Sequence, residues 1–218
     1  MTVTRADGRE VGEKAEIAGY VLAGGASRRF GSDKALAKIG GKIMLQYMCQ
    51  LVESVAGAAR IVAPAGRYAD YAGGLVEDRW PGEGPLGGIT SALRATASES
   101  PGIHWNLMVS CDMPFLSREW LEYLKMRALA SAAELVVPQS EHGLEPLCAC
   151  WRTAAVGALQ VAFDNGTRKV TEAMKHLSME ILDETHWKRF DSAGRLFWNM
   201  NTPLDYREAV RMWETEPD

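Results

Sequence analysis

The sequence contains few of the residues that build metal clusters and disulfide frameworks. Its 218 residues include only four cysteines and four histidines. No two cysteines form a C-x-x-C pair, and no group of cysteines and histidines has the spacing of a zinc site. We therefore interpret Cys49, Cys111, Cys148 and Cys150 as buried free thiols of a protein in a reducing compartment.

The sequence also lacks a long hydrophobic run and an excess of basic charge. The uncharged stretch Ile17–Ser27 is shorter than the roughly 20 apolar residues of a membrane-spanning helix and contains three glycines. The 28 acidic residues outnumber the 24 basic ones, which argues against a protein that coats nucleic acid or an anionic membrane. Residues 1–16 have no apolar segment typical of a secretory signal, so we interpret them as an N-terminal extension of a cytoplasmic protein.

Short apolar runs alternate with longer amphipathic segments along most of the chain. This pattern predicts an α/β fold: one doubly wound, Rossmann-like domain over residues 17–218, with a mostly parallel central sheet flanked by helices. The predicted strands are Ile17–Leu22, Ala59–Ala63, Leu75–Glu77, Trp105–Ser110, Glu134–Pro138 and Leu147–Trp151. The predicted helices are Ile43–Val55, Leu86–Ala97, Arg118–Ala130, Ala154–Phe163, Val170–His176 and Leu204–Trp213.

The alternation becomes less regular after Pro138. We expect a turn at Glu141–Gly143 and two further strands at Met179–Leu182 and Leu196–Met200. No linker or change of composition separates this part from the rest of the chain. It is therefore interpreted as a late insertion or an edge substructure of the same domain.

A glycine-rich loop follows the first predicted strand, in the segment Leu22–Lys34. Gly24 and Gly25 allow backbone N–H groups to approach a ligand closely, because no Cβ intervenes. Arg29 and Lys34 add positive charge at the edge where open α/β sheets bind ligands. Such cations would stabilise the charge that develops on a leaving pyrophosphate. The alternative is a glycine turn with a solvated basic loop.

Two common nucleotide-binding motifs do not explain the glycine loops. After Gly31 the chain reads Ser-Asp-Lys-Ala, so the Gly-Lys-Ser/Thr of a Walker A loop is missing. The segment Gly82–Gly87 matches G-x-G-x-x-G, but it lies mid-chain and several residues separate it from the preceding strand. We therefore disfavour both an ATPase of the P-loop type and a Rossmann dehydrogenase.

Two aspartates follow predicted strands at the same expected edge of the sheet. Asp78 precedes a helix that Pro85 opens, so it could accept hydrogen bonds from a base or ribose, or simply cap a turn. Asp112 is the best metal candidate, because Mg²⁺ needs only one or two carboxylates when substrate phosphates supply the rest. Ser117 is the better N-cap for the next helix, and Cys111 is expected to point into the core.

Two polar pairs occur in the last third of the chain. Arg168 and Lys169 precede a predicted helix, where cations oppose the helix dipole unless the end is exposed or an anion is near. Asn199 and Asn201 lie on one face of a predicted strand end, before a Thr202–Pro203 helix start. Capping accounts for Thr202 but does not need both asparagines.

Together these segments resemble the molybdenum cofactor guanylyltransferase family, a branch of the nucleotidyltransferases with a doubly wound α/β fold. The resemblance is carried by Leu22–Leu36, Gly84–Gly88, Cys111–Pro114, Arg168–Val170 and Asn199–Pro203, in the family's order. It implies transfer of GMP from GTP to the terminal phosphate of molybdopterin, with Mg²⁺ as cofactor and pyrophosphate as the second product. It also implies a monomer that contacts cofactor-biosynthesis proteins or acceptor molybdoenzymes transiently, without a nucleic-acid or membrane partner.

The resemblance assigns roles to individual residues. The residues expected to bind the nucleotide are Leu22, Ala23, Gly24, Gly25, Lys34, Asp78 and Asp112. Arg29, Lys34 and Asp112 are the expected catalytic residues, with Asp112 as the magnesium ligand. The residues expected near the acceptor are Glu145, Arg168, Lys169, Asn199 and Asn201. An asparagine that the family often carries after the second strand is absent from Ile61–Gly66.

Three alternatives remain open at this point. A cytidylyltransferase of the same fold would use CTP, although its first loop tends to read Leu-Ala-Ala-Gly, whereas Gly24-Gly25 favours GTP. A sugar-1-phosphate could replace molybdopterin, because nothing in the nucleotide half determines the acceptor. A non-catalytic nucleotide-binding module is the third alternative, and the presence of both Lys34 and Asp112 argues against it.

Overall fold

The computed structural model describes residues 16–25, 33–71, 73–191 and 193–215. Arg29 and residues 1–15 of the predicted N-terminal extension lie outside these ranges. Within them, no helix is long and apolar enough to cross a membrane.

A large, mostly parallel sheet forms the centre of the domain. In the described ranges the strands are β1 (Ala18–Leu22), β2 (Lys38–Ile39), β3 (Lys42–Ile43), β4 (Arg60–Ala63), β5 (Leu75–Glu77), β6 (Trp105–Ser110), β7 (Leu135–Ser140), β8 (Gly143–Leu144), β9 (Cys148–Arg152) and β10 (Met179–Leu182). The central sheet has the order β10-β7-β9-β6-β1-β4-β5, and β8 pairs with β7. Strand β9 is antiparallel to both of its neighbours, β6 and β7, and β8 is antiparallel to β7. The remaining pairs in the central sheet are parallel.

Helices cover both faces of the sheet, which confirms the predicted α/β class. They are α1 (Met44–Ala56), α2 (Pro85–Glu99), α3 (Arg118–Ala130), α4 (Val156–Asp164), α5 (Val170–Ala173), α6 (Glu184–Trp187) and α7 (Pro203–Glu214). Short 3₁₀ turns occupy Lys34–Leu36, Thr153–Ala155, Met174–His176 and Lys188–Phe190. In β1, Val21 packs with α1 and α3, whereas Tyr20 and Leu22 pack with α2 and α4 on the opposite face. Two hydrophobic cores therefore enclose the sheet.

Close packing of α1 on β1 depends on Gly19. A Cβ at this position would lie 2.5 Å from the carbonyl oxygen of Ala58 and 2.6 Å from Cγ1 of Val52. These distances are well below van der Waals contact, so a larger residue would push α1 away from the strand.

Predicted helix starts and buried thiols are largely confirmed. Ser117 caps α3 by accepting a hydrogen bond from the Trp120 N–H at 3.2 Å, and Thr202 forms a capping box with Asp205 at the start of α7.

The cysteines are free thiols, three of them buried and Cys49 half-buried. Burial raises the pKa of the Cys148 thiol to about 12, so this thiol is protonated and unreactive at neutral pH.

The segment after Pro138 differs from its prediction. Instead of forming an insertion or edge substructure, it supplies β9 to the middle of the sheet, between β6 and β7. The predicted turn at Glu141–Gly143 is present between β7 and β8, and β10 matches the predicted strand Met179–Leu182. The segment that ends at β9 therefore completes the middle of the sheet, and β10 forms the edge opposite β5.

The predicted strand Leu196–Met200 is wrong. The backbone N–H of Leu196 donates to the carboxylate of Asp191 at 2.6 Å, and the N–H of Met200 donates to the carbonyl oxygen of Asp112 at 3.0 Å. These bonds satisfy the backbone without a neighbouring strand, because the segment forms an irregular loop over the end of β6. The hairpin of β2 and β3 and the short helix α6 were not predicted.

Candidate active site

A cleft of about 640 Å³ lies at the carboxyl-terminal edge of the sheet. Its walls are Leu22, Gly24, Gly25, Lys34, Val62, Asp78, Gly82, Gly84, Pro85, Gly88, Ser110–Met113, Glu145–Leu147, Arg168–Thr171, Asn199 and Asn201. This set contains every predicted site residue that the structure describes except Ala23, which is buried in the core. The structure therefore brings the separate sequence segments into one place.

Asp112 lies at the centre of the cleft wall and is held by three groups. The Lys34 ammonium forms an ion pair with carboxylate oxygen Oδ2, and the Ser110 hydroxyl donates to Oδ1. The Met200 N–H donates to the backbone carbonyl of Asp112. Because the carboxylate is buried, the lysine provides the positive charge that such a group requires. The sequence analysis did not identify Ser110, although it is the last residue of β6 and lies only two residues before Asp112.

Lys34 lies beside the backbone of the glycine loop. A Cβ on Gly25 would lie 3.7 Å from Cε of Lys34, in ordinary contact. A Cβ on Gly24 would lie 3.5 Å from Oδ2 of Asp78. The paired glycines therefore keep the backbone open between the lysine on one side and an aspartate on the other.

Asp78 connects the glycine loop with the start of α2. Its Oδ1 accepts a hydrogen bond from the Trp80 N–H at 3.0 Å, and a Cβ on Gly87 would lie 3.3 Å from the same oxygen. Burial raises the pKa of the Asp78 carboxyl above its usual value. Asp78 therefore caps a local turn, which was the alternative interpretation of this residue from the sequence. It also lines the cleft, where it could contact a ligand.

The N-terminus of α2 opens into the same cleft. Gly84, the residue before the helix, has a φ of +95°, which a residue with a side chain rarely adopts. Pro85 then occupies the first helical position. Unpaired N–H groups and the positive end of the helix dipole make this position suitable for an anion.

The far side of the cleft contains the predicted acceptor residues. Ser140 donates to Oε1 of Glu145 at 2.6 Å, and burial raises the pKa of the Glu145 carboxyl. Lys169 is the residue that precedes α5. The Asn199 side chain donates to the carbonyl oxygen of Phe197 at 2.9 Å. The two asparagines line the cleft from an irregular loop rather than from the predicted strand end.

Arg168 connects the two sides of the cleft. Its Nε donates to Glu83 at 2.6 Å, and its Nη1 donates to the carbonyl oxygen of Phe163 at 2.8 Å. The guanidinium also lies 4.0 Å from the centre of the Phe163 ring, which in turn packs against Trp80. The loop before α2 and the loop before α5 are therefore joined by one arginine. No sequence signal identified Glu83 or Phe163, because the contact is non-local.

The chemistry of the donor set fits magnesium better than zinc. Among the described residues, no group of three or more His, Cys, Asp or Glu side chains is arranged to hold a metal. Asp112 offers a single hard carboxylate at the cleft wall, and a carboxylate can accept more hydrogen bonds or ligand contacts than the two it makes here. One carboxylate with substrate phosphates is a common magnesium arrangement.

Comparison with known proteins agrees with this geometry. The family model of the MobA-like NTP transferase domain matches residues 19–179. A protein of Clostridium perfringens named "Probable molybdenum cofactor guanylyltransferase" is 26% identical over 197 residues, which cover 89% of this chain and 96% of that protein. The "Molybdenum cofactor guanylyltransferase" of Desulfosudis oleivorans is 28% identical over 197 residues, covering 88% and 94%.

Solved structures share the fold. The molybdopterin-guanine dinucleotide biosynthesis protein A of Archaeoglobus fulgidus superposes with a TM-score of 0.79 at 24% identity, covering 92% of this chain and all of that chain. The 2-C-methyl-D-erythritol 4-phosphate cytidylyltransferase of Thermus thermophilus has a TM-score of 0.65 at 15% identity, covering 92% and 100%. The predicted resemblance and the predicted nucleotidyltransferase fold are confirmed. The chain belongs to the MobA-like NTP transferase domain family and is a nucleotidyltransferase.

Proposed function

We propose that this nucleotidyltransferase transfers GMP from GTP to the terminal phosphate of molybdopterin in a magnesium-dependent reaction. The observation that carries the proposal is the ion pair between Lys34 and Asp112, located between the glycine loop and the polar residues on the far side of one cleft. The names of the full-length relatives support the choice of GTP and molybdopterin.

The near side of the cleft suits the nucleotide. Backbone N–H groups at Gly24 and Gly25, together with the N-terminus of α2, would contact the phosphates. Leu22 and Ala23 would hold the guanine base against the loop. Asp78 would accept hydrogen bonds from the base or the ribose. Arg29, which lies outside the described residues, stays a predicted contact to the triphosphate.

The reaction needs no nucleophile from the protein. A terminal phosphate oxygen of the acceptor attacks the α-phosphorus of GTP in line, a new P–O bond forms, and the bond to the β-phosphate oxygen breaks to release pyrophosphate. Lys34 would stabilise the negative charge that develops on the leaving group. Asp112 would hold Mg²⁺, which would neutralise part of the negative charge of the phosphates. The protein therefore contributes position and charge.

The far side of the cleft suits the acceptor. Arg168 and Lys169 would provide positive charge for the acceptor phosphate, while Asn199 and Asn201 offer amide donors and acceptors. The carboxyl group of Glu145 lies among these groups, so it is placed to accept hydrogen bonds from N–H groups of a heterocycle rather than to contact a phosphate. A pterin carries such N–H groups, which supports molybdopterin over a simple sugar phosphate.

A cytidylyltransferase activity is the second candidate. The similar fold of the Thermus enzyme favours it, since that protein's name assigns it CTP chemistry. The segment Ile61–Gly66 lacks the asparagine that the resemblance leads us to expect after the second predicted strand, and Cδ of Pro64 in this segment would lie 3.7 Å from a Cβ on Gly24.

The first experiment is calorimetry of GTP, CTP, ATP and UTP binding with Mg²⁺ to the wild type and to Asp112→Ala. We expect tightest binding of GTP and a loss of its magnesium dependence in the variant. Asp164→Ala, on the exposed end of α4, is the matched control. Preference for CTP would contradict the guanylyltransferase assignment, and unchanged magnesium dependence would contradict the metal assignment. Pyrophosphate release with molybdopterin as acceptor then tests the transfer itself.

A further inference from the structure

The residue before Lys34 is held by a cluster of three donors. One carboxylate oxygen of Asp33 accepts from the N–H of Ala35 at 3.1 Å and so caps the 3₁₀ turn that carries Lys34. The other oxygen accepts from the hydroxyl of Tyr68 at 2.7 Å and from the guanidinium of Arg67. Each oxygen of Asp33 therefore has a defined partner, which orients the start of the turn.

Arg67 and Tyr68 come from a different part of the chain, the loop after β4. The Arg67 guanidinium lies 5.1 Å from the centre of the Tyr68 ring. Burial raises the pKa of Tyr68, and its hydrogen bond to Asp33 adds to this effect, so the hydroxyl stays a donor at neutral pH. Among the described residues, Tyr68 is the one non-glycine residue with a positive φ, +57°. This conformation is unfavourable by itself and requires tertiary contacts to persist.

The cluster lies beside the cleft rather than in its wall. Asp33, Arg67 and Tyr68 are not among the lining residues, whereas Lys34 is. The other end of the turn is held by the buried Ala35 and by a hydrogen bond from the Ala37 N–H to the Lys34 carbonyl at 3.2 Å. Asp33 therefore fixes the N-terminal end of the turn, where Lys34 is the first residue.

The charge of Asp33 makes its partners important. An unpaired carboxylate next to Lys34 would compete with Asp112 for the ammonium group and would repel the phosphates of a nucleotide. Arg67 neutralises this charge, and Tyr68 holds the carboxylate on its own side of the turn.

We propose that Asp33, Arg67 and Tyr68 form a positioning cluster that orients Lys34 toward Asp112 and the triphosphate. These three residues act through Lys34 and do not themselves contact the reacting atoms. The proposal rests on the proposed function for the role of Lys34 in transfer, but the orientation of the lysine can be measured without any substrate.

The test compares Arg67→Ala, Arg67→Lys and Tyr68→Phe with Tyr206→Phe. The control also removes a phenol hydroxyl, which donates to the carbonyl oxygen of Lys38 in β2 at 2.8 Å, outside the cluster. The side chain of Arg67 is about one-third exposed, so its variants are expected to fold. The first readout is the rate at which an amine-acylating reagent labels Lys34, followed by peptide mass spectrometry with the exposed Lys175 as reference.

We expect several-fold faster labelling of Lys34, relative to Lys175, in Arg67→Ala and Tyr68→Phe, with the wild-type rate in the control. We also expect kcat to fall by about tenfold or more with little change in KM for GTP, because small misplacements of a catalytic group are costly. Arg67→Lys should recover part of kcat. Unchanged labelling of Lys34, or equal acceleration at both lysines, would overturn the proposal. Absence of GTP transfer in the wild type would refute the proposed function instead, and the labelling result would still decide the positioning claim.

Discussion

Replacing Lys34 with alanine is expected to reduce turnover far more than stability. The ammonium is one charged donor aimed at developing phosphate charge, and loss of one such donor costs about 100- to 1000-fold in kcat, or about 2.7–4 kcal/mol. In the folded protein the change removes one partner of the buried Asp112 carboxylate and leaves Ser110 as the other. An under-satisfied buried group costs about 1–3 kcal/mol.

The stability loss translates into a modest thermal shift. For a domain of this size, each kcal/mol lowers Tm by about 2–4 °C, so a decrease of about 2–12 °C is expected. The assay measures pyrophosphate release at 25 °C, where the variant remains folded, beside circular dichroism melts of the same samples. Lys38→Ala removes an exposed lysine four residues away and serves as control. A decrease in kcat of less than about tenfold in Lys34→Ala would refute the role of this lysine in charge stabilisation.

Three further predictions concern other parts of the structure. Asp78→Asn should weaken GTP binding but raise Tm at neutral pH, because burial raises the pKa of Asp78 and disfavours its charged form. Melts at several pH values should show this gain shrinking as the pH falls towards about 4, and absent below it, where the carboxyl is protonated in both the folded and the unfolded state. Gly19→Ala should cost about 1–3 kcal/mol through overpacking against α1. Gly157→Ala, whose Cβ meets nothing within 4 Å, should instead gain up to about 1 kcal/mol in the same denaturant titrations. Asn199→Ala and Asn201→Ala should raise KM for molybdopterin by about tenfold each with the Kd for GTP unchanged, and a parallel loss of GTP affinity would contradict their assignment to the acceptor side.

Much of the fold could be predicted from local patterns, because most strands and helices have a clear periodicity. The strand Trp105–Ser110 and the helix Arg118–Ala130 were predicted at their observed bounds. The position and direction of β9 could not be predicted in this way. Its first four residues are buried, and continuous burial does not distinguish a central antiparallel strand from a parallel one. Strand order is a property of contacts between distant segments.

The candidate site was predictable where each residue follows a strand. Parallel strands end at one edge of the sheet, so Gly24, Asp78 and Asp112 were expected to converge, and they do. Contacts between loops were not predictable, and they include the bonds of Asp33 to Arg67 and Tyr68. The unpredicted hairpin of β2 and β3 did carry a local signal, since Gly40 and Gly41 both adopt positive φ between its two-residue strands.

Two of the contacts among the described residues join the side of the cleft proposed for the nucleotide to the side proposed for the acceptor. The Met200 N–H bonds to the Asp112 carbonyl, and Arg168 pairs with Glu83. Through the first contact, the loop that carries the asparagines is attached to the residue expected to hold magnesium. Through the second, the loop before α5 is attached to the loop that opens α2. If the proposed assignments hold, acceptor recognition can change through side chains such as Asn199 without moving the residues proposed to bind the nucleotide, provided that both attachments are kept. A nucleotidyltransferase of this design can change its acceptor more readily than its triphosphate chemistry.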